Sequence, residues 1–224
     1  MITNFYPSPN VNDRVNGQKP SLVILHYTGT VTAIEAHEIY MMPQKVSPHY
    51  MVDRDGSISQ YVHEDKRAWH AGKSYWRGDT DINSSSIGIE IVNSGHEYDM
   101  EPFPDVQMNA VVELVRGIQS RWNIPHKNIL GHSDIAVGRK IDPGEHFPWE
   151  FLHANNIGIL PDPNHTDMID HVHQALITIG YDPDVDLYAV IGEFRRHYLR
   201  HTDLNAGVDD ELRRALSSIL QQIS

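Results

Sequence analysis

Leu22-Val23-Ile24-Leu25-His26-Tyr27-Thr28-Gly29 is the stretch on which the fold turns. Four consecutive apolar residues followed at once by polar ones read as a buried central strand, since a strand covered on both faces has no need to alternate. A second segment, Ile87-Gly88-Ile89-Glu90-Ile91-Val92, does alternate, with Gly88 and Glu90 on one face and isoleucines on the other. A third, Ile129-Leu130, stops at Gly131-His132. Helical patterns lie between them. Thr32 is placed to cap a helix over Ala33–Met41, with Pro43 just past its end. Asp105 opens a long helix to Trp122 whose Val111, Val115, Ile118 and Trp122, joined by Leu114, form an apolar stripe. His49–Val52 and Ser57–Val62 flank Asp53-Arg54-Asp55-Gly56, a hairpin signal, and Trp149–Asn155 suits a short helix. Strands and helices interleaved in this way predict an α/β fold over residues 1–160, a mixed central sheet flanked by helices, with residues 1–20 as a polar extended arm.

Pro161-Asp162-Pro163-Asn164 reads as a boundary. Beyond it, three amphipathic patterns at about 165–179, 187–200 and 208–222 are separated by Gly180-Tyr181-Asp182-Pro183 and Asn205-Ala206-Gly207. They predict a small three-helix bundle over residues 165–224.

Composition narrows the function classes. The chain has 224 residues, 40% of them hydrophobic, enough for a sizeable core without staples. A net charge of −12 argues against nucleic acid as a partner, because gripping phosphates takes clustered Lys and Arg. With no cysteine, disulfides, thiolate ligands and cysteine nucleophiles are excluded. No apolar run approaches the roughly 18 residues of a membrane span. The start, Met1-Ile2-Thr3-Asn4-Phe5-Tyr6-Pro7, lacks the charged and apolar regions of a secretory leader, which reads as cytoplasmic. Fifteen histidines are many for this length, and they direct attention to metal chemistry.

Three polar groups sit where strands run out: His26, His132, and Asp142 in Arg139-Lys140-Ile141-Asp142-Pro143-Gly144. Strand ends project side chains into clefts while the sheet holds them rigid. Two imidazoles and a carboxylate make a set that leaves zinc a fourth position for water. No HExxH pattern is present, and spacing alone does not join the three residues. The same residues read equally well as a strand cap, a turn stabiliser and a turn opener before Pro143.

A series of short strings carries a resemblance. His26-Tyr27-Thr28-Gly29, Ala68-Trp69-His70-Ala71-Gly72, Ser86-Ile87-Gly88-Ile89-Glu90 and Gly131-His132-Ser133-Asp134-Ile135-Ala136 occur in that order. Arg139-Lys140-Ile141-Asp142-Pro143-Gly144 and Phe147-Pro148-Trp149 complete the set. Over about residues 20–155 the chain resembles the zinc-dependent N-acetylmuramoyl-L-alanine amidases related to peptidoglycan recognition proteins, in their AmiD/AmpD branch. Each string is weak alone; six in one order are specific. The resemblance implies one Zn2+ held by His26, His132 and Asp142. It implies cleavage of the amide between the lactyl group of N-acetylmuramic acid, ordinary or 1,6-anhydro, and L-alanine of the stem peptide. It gives Glu90 the role of general base and proton carrier and Lys140 that of oxyanion stabiliser. Peptidoglycan or muropeptide fragments are the implied partners.

Trp69 and His70 read as groove-lining, substrate-binding residues, and His49 as structural. His37, His63, His96, His126, His146 and His153 read as surface or packing residues. His171 and His173, two apart, do not share a helix face and make a poor metal pair. The C-terminal bundle resembles the three-helix peptidoglycan-binding domain through Gln174-Ala175-Leu176, Gly180-Tyr181, Ala189-Val190, Glu193-Phe194-Arg195 and Asp209, with Leu212 and Leu216. It departs from that pattern at Phe194-Arg195, where Phe-Gln is usual, and at Ala206-Gly207, where Asp-Gly is usual. An added helical module of this kind points to the cell envelope, against the leaderless start. A non-catalytic peptidoglycan receptor using the same groove is the competing reading; retention of His26, His132, Asp142, Glu90 and Lys140 favours the enzyme.

Overall fold

The computed structural model describes residues 2–224. In chain order its elements are β1 (Ile2–Phe5), β2 (Val11–Asp13), β3 (Leu22–Tyr27), α1 (Ala33–Met41), β4 (Tyr50–Val52), β5 (Ile58–Gln60) and β6 (Lys66–Ala68). There follow α2 (Ile82–Ser85), β7 (Ser86–Ile91), α3 (Asp105–Trp122), β8 (Ile129–Gly131), α4 (His132–Ile135) and α5 (Trp149–Ala154). The chain closes with α6 (Val172–Ile179), α7 (Leu187–Tyr198) and α8 (Asp210–Ile223). One six-stranded mixed sheet has the order β1-β5-β4-β7-β3-β8. Strands β4, β7, β3 and β8 run parallel, β5 is antiparallel to β4, and β1 is parallel to β5.

Residue alternation sorts the sheet's two faces. Val23, Leu25, Ile87, Ile89 and Ile91 are fully buried and pack on Val111, Val115 and Ile118 of α3. Each such side chain contributes about 1.5–3 kcal/mol by leaving water. The other face presents Leu22 and Ile24 on β3, and Ser86, Gly88 and Glu90 on β7. Leu22, Ile24 and Leu130 share one core with Leu176 of α6, Phe194 of α7 and Leu212 and Leu216 of α8. The C-terminal helices are therefore the layer that covers this face, not an appendage on a tether.

Polar contacts fasten that layer. Asp134 of α4 is 1% exposed and accepts from the backbone N–H of Gly131 (2.7 Å), the Tyr181 hydroxyl (2.8 Å) and His197 Nδ1 (2.7 Å). The His197 ring is stacked between Trp149 and Tyr198, at 3.7 and 3.9 Å between centroids. Arg195, fully buried, holds the turn before α8 through the Ala206 and Gly207 carbonyls and Asp209.

Most expected elements form within a residue or two. Thr32 caps α1 in a reciprocal box with Glu35, and α3 spans the residues its stripe marks. Two expectations need correction. The polar arm at 1–20 contains β1, which pairs with β5, and β2, which pairs with β6 in a separate two-stranded sheet. All seven residues of β1 and β2 are exposed, so they bury nothing that could set a pattern. The first C-terminal helix begins at Val172, not near 165; Ile169, before it, packs against the same core from non-helical chain.

Candidate metal centre and groove

His26, the next-to-last residue of β3, points to the face that Leu22 and Ile24 occupy. Its register partner on β7 is Glu90. Strand β8 runs beside β3 and hands the chain to α4, whose first residue is His132. Asp142 comes back to the same place, its carbonyl accepting from the Ser133 amide at 2.9 Å. Thus two strand ends and one returning loop meet.

His26, His132 and Asp142 are 1%, 3% and 5% exposed. His26 Nδ1, His132 Nδ1 and Asp142 Oδ2 form a triangle with all three edges 3.0 Å. No arrangement of protons satisfies three mutually close donor atoms as well as one cation does. Zinc with ligand bonds of about 2.0–2.1 Å in tetrahedral geometry spaces its ligand atoms at roughly 3.3 Å. The N, N, O donor set fits such an ion. Burial, and then the neighbouring His132, push the His26 imidazole down to about 4, so it is a neutral ligand near pH 7. Burial alone would raise Asp142, but the two imidazoles beside it hold its carboxyl well below the usual carboxylate range.

The triangle lies in a groove of about 440 Å³ lined also by Tyr40, Glu90, His96, Arg139 and Lys140. Glu90 is partly buried, and its Oε2 finds no hydrogen-bond partner among the described residues. Burial first, then the Asp142 charge, push its carboxyl well above the ordinary range, while Lys140 and the Tyr40 phenol pull the other way. A carboxylate kept hungry for a proton beside a metal triangle is suited to taking one and giving it back. Lys140 is exposed at the rim.

The structure brings His26, His132, Asp142, Glu90 and Lys140 to one groove. His70 is also there but is buried, with its ring against His26 Nε2 at 3.0 Å. Trp69 stands apart, its indole N–H donating to Asn12 Oδ1 on β2. His49 is fully buried: its Nδ1 accepts from the Gly88 amide and its Nε2 donates to the Lys66 carbonyl, both at 3.0 Å. Three lining residues escaped the sequence reading. Tyr40 lay within an anticipated apolar helix face, and nothing local marked its hydroxyl. His96, a surface residue as its reading allows, also lines the groove and joins Tyr27 (3.0 Å) to Glu145 (3.1 Å), which Arg196 of α7 holds at 2.7 Å. Arg139 clamps the Ala71 and Lys73 carbonyls, a role visible only in three dimensions.

Known proteins share this arrangement of sequence. The profile of the N-acetylmuramoyl-L-alanine amidases matches residues 16–145. The chain belongs to the N-acetylmuramoyl-L-alanine amidase family. Among its relatives, N-acetylmuramoyl-L-alanine amidase AmiD of Escherichia coli is 32% identical over 90% of this chain and 82% of its own length. The 1,6-anhydro-N-acetylmuramyl-L-alanine amidase AmpD of Haemophilus influenzae is 37% identical over 64% of this chain and 86% of its own. The solved structure of E. coli AmiD with anhydro-N-acetylmuramic acid-L-Ala-D-gamma-Glu-L-Lys superposes with a TM-score of 0.83 at 30% identity. It covers 94% of this amidase and 92% of AmiD. AmpDH3 of Pseudomonas aeruginosa, solved with anhydromuramic pentapeptide, gives 0.83 at 28% identity over 95% of each chain. The likeness to AmiD and AmpDH3 extends over nearly all of this chain, that to AmpD over 64% of it. No helix among the described residues is long and apolar enough to cross a membrane.

Proposed function

We propose that this amidase holds one zinc ion on His26, His132 and Asp142 and hydrolyses the amide joining N-acetylmuramic acid, ordinary or 1,6-anhydro, to L-alanine of the stem peptide. The observation that carries the reading is the 3.0 Å triangle of donor atoms opening onto a groove that also holds Glu90 and Lys140. The muramyl-peptide ligands named with the AmiD and AmpDH3 structures support the substrate class. Bound at the triangle, zinc supplies Lewis-acid polarisation of a carbonyl and acidifies water.

The protein's own groups do the remainder. Glu90, adjacent to His26 across the β3–β7 pair, takes a proton from the attacking water and delivers it to the departing amine of L-alanine. Its unpartnered Oε2 leaves an acceptor free for that purpose. Lys140, at the rim, places a positive charge where the scissile carbonyl oxygen becomes negative. The β3–β7 pair keeps Glu90 and His26 in fixed relation, so little reorganisation of these two groups accompanies the reaction.

Metal content of the purified chain, measured together with stem-peptide release from anhydro- and ordinary muropeptides, tests the proposal. One zinc per chain with release is the expected result. Full zinc occupancy without release would make the protein a receptor using the same groove, and no zinc uptake would remove the metal assignment.

A further inference from the structure

Residues 70 and 71 lie against the two histidines of the metal triangle. The outer nitrogen of each histidine in the triangle ends on one of these neighbours. His26 Nε2 is 3.0 Å from His70 Nδ1, and His132 Nε2 is 3.0 Å from the Ala71 carbonyl. The backbone amides of both residues donate to one atom, Asn83 Oδ1, at 2.9 and 2.8 Å. Beyond His70, its Nε2 lies 3.1 Å from Ser86 Oγ, which in turn lies 2.5 Å from the Ile82 carbonyl. The imidazole rests flat on Gly88: a Cβ there would come within 2.5 Å of His70 Nδ1 and 2.6 Å of its Cδ2.

The ends of this chain of contacts dictate where every proton sits. Carbonyl oxygens only accept. The single Ser86 hydroxyl proton therefore goes to Ile82, and the Ser86 oxygen accepts from His70 Nε2–H. A neutral His70 protonated at Nε2 has a bare Nδ1, which accepts from His26 Nε2–H. A neutral His26 protonated at Nε2 turns a bare Nδ1 toward Asp142. On the other side, His132 Nε2 is nearer the Ala71 carbonyl (3.0 Å) than the Arg139 guanidinium (3.4 Å), which itself donates to that carbonyl, so the closer contact puts the His132 proton on Nε2 and leaves its Nδ1 bare as well. Reversing any link places two protons, or none, between one pair of atoms.

We propose that His70, with Asn83 and Ser86 behind it, is a positioning residue that fixes the tautomer and ring plane of the metal-binding histidines. His70 acts on His26 through its ring, and the Asn83-pinned backbone acts on His132 through Ala71. The inference rests on the zinc assignment above. Partners of this outer kind raise metal affinity by about 10–100-fold, because the ligand lone pairs are aimed before the ion arrives.

Zinc competition against a chromophoric chelator at fixed pH, on the full chain, tests it with wild type, His70→Leu, His70→Asn and Ser86→Ala. Asparagine sets an oxygen acceptor close to where His70 Nδ1 sits, whereas leucine offers none. His70→Leu is expected to weaken zinc binding about 10–100-fold and His70→Asn to regain most of it, with Ser86→Ala falling between. The visible band of the cobalt(II)-loaded protein should change in His70→Leu and return in His70→Asn. Thermal unfolding of the metal-free proteins separates lost affinity from lost fold. Wild type that takes up no zinc overturns the metal assignment itself. Wild type that binds zinc, with His70→Leu equal to it or His70→Asn no better than a folded His70→Leu, overturns the positioning role alone. If His70→Leu does not fold, Ser86→Ala binding zinc as tightly as wild type overturns it.

Discussion

Tyr181→Phe removes one oxygen from the seam between the covering helices and the segment that carries His132. The phenol is buried, donates to Asp134 Oδ1 at 2.8 Å, and packs its ring edge-on to Trp76 at 5.1 Å, contacts that phenylalanine retains apart from the hydroxyl. Asp134 keeps its bonds from Gly131 and His197 but loses one of three donors in a place water does not reach. A hydrogen bond to a charged group contributes about 1.5–3 kcal/mol. For a chain of this size each kcal/mol moves Tm by roughly 2–4 °C, so a fall of about 3–12 °C is expected. Because Leu22, Ile24 and Leu130 of the sheet share a core with α6–α8, the whole chain should melt in one transition. Calorimetry on the metal-free protein, with an Asp134→Asn and Tyr181→Phe double-mutant cycle, is the assay. The two substitutions should be strongly non-additive. Two separable transitions with only one of them shifted, additive effects, or a change below about 0.5 kcal/mol would refute the shared-core argument.

Four further outcomes are expected. Glu90→Gln should retain zinc and lose about 10²–10⁴-fold in kcat, checked by metal analysis beside muropeptide turnover. Lys140→Ala should lower kcat by about 10²–10³-fold with little change in KM, since it acts on charge that develops only in the transition state. Chelator should abolish turnover and stoichiometric zinc should restore it, as followed by peptide release. His49, pushed from 6.5 down to about 3 by burial and then by the Arg14 charge, stays neutral in the folded chain while the unfolded chain protonates. Stability should therefore fall by about 1.4 kcal/mol per pH unit on acidification below 6.5 on its account. Urea melts of the metal-free protein should show His49→Asn losing that part of the slope; an unchanged slope would count against a neutral buried imidazole.

The legible parts of this fold were those where burial imposes a period. Thr32 with Glu35 marked the start of α1, and the stripe at Val111, Val115 and Ile118 marked α3 and the face it covers. Trp122, expected as the last of that stripe, is only partly buried, its indole N–H bonded to Glu64 at 2.7 Å. β1 and β2 were hidden because their stability comes from backbone pairing at exposed edges, which leaves no imprint on side-chain type. The three residues of the metal triangle were recognisable by resemblance, not by spacing, because β3 and β8 join in space what the chain separates. His197 and Asp134 were out of reach altogether: they lie on opposite sides of the Pro161-Asp162-Pro163-Asn164 boundary, and only the docked helices show that they touch.

His26 and Glu90 are register partners on adjoining parallel strands. Their separation is thus inherited from the peptide unit itself, the roughly 4.8 Å that backbone hydrogen bonds impose between any two strands. No loop has to close to bring them side by side, and thermal breathing of the sheet carries both along together. The same economy makes the pair fragile in one direction. Deleting a single residue between Ser86 and Glu90 would swing the carboxylate under α3 while the imidazole stayed where it is. Slippage alone would silence the groove, with every reactive group still present in the chain.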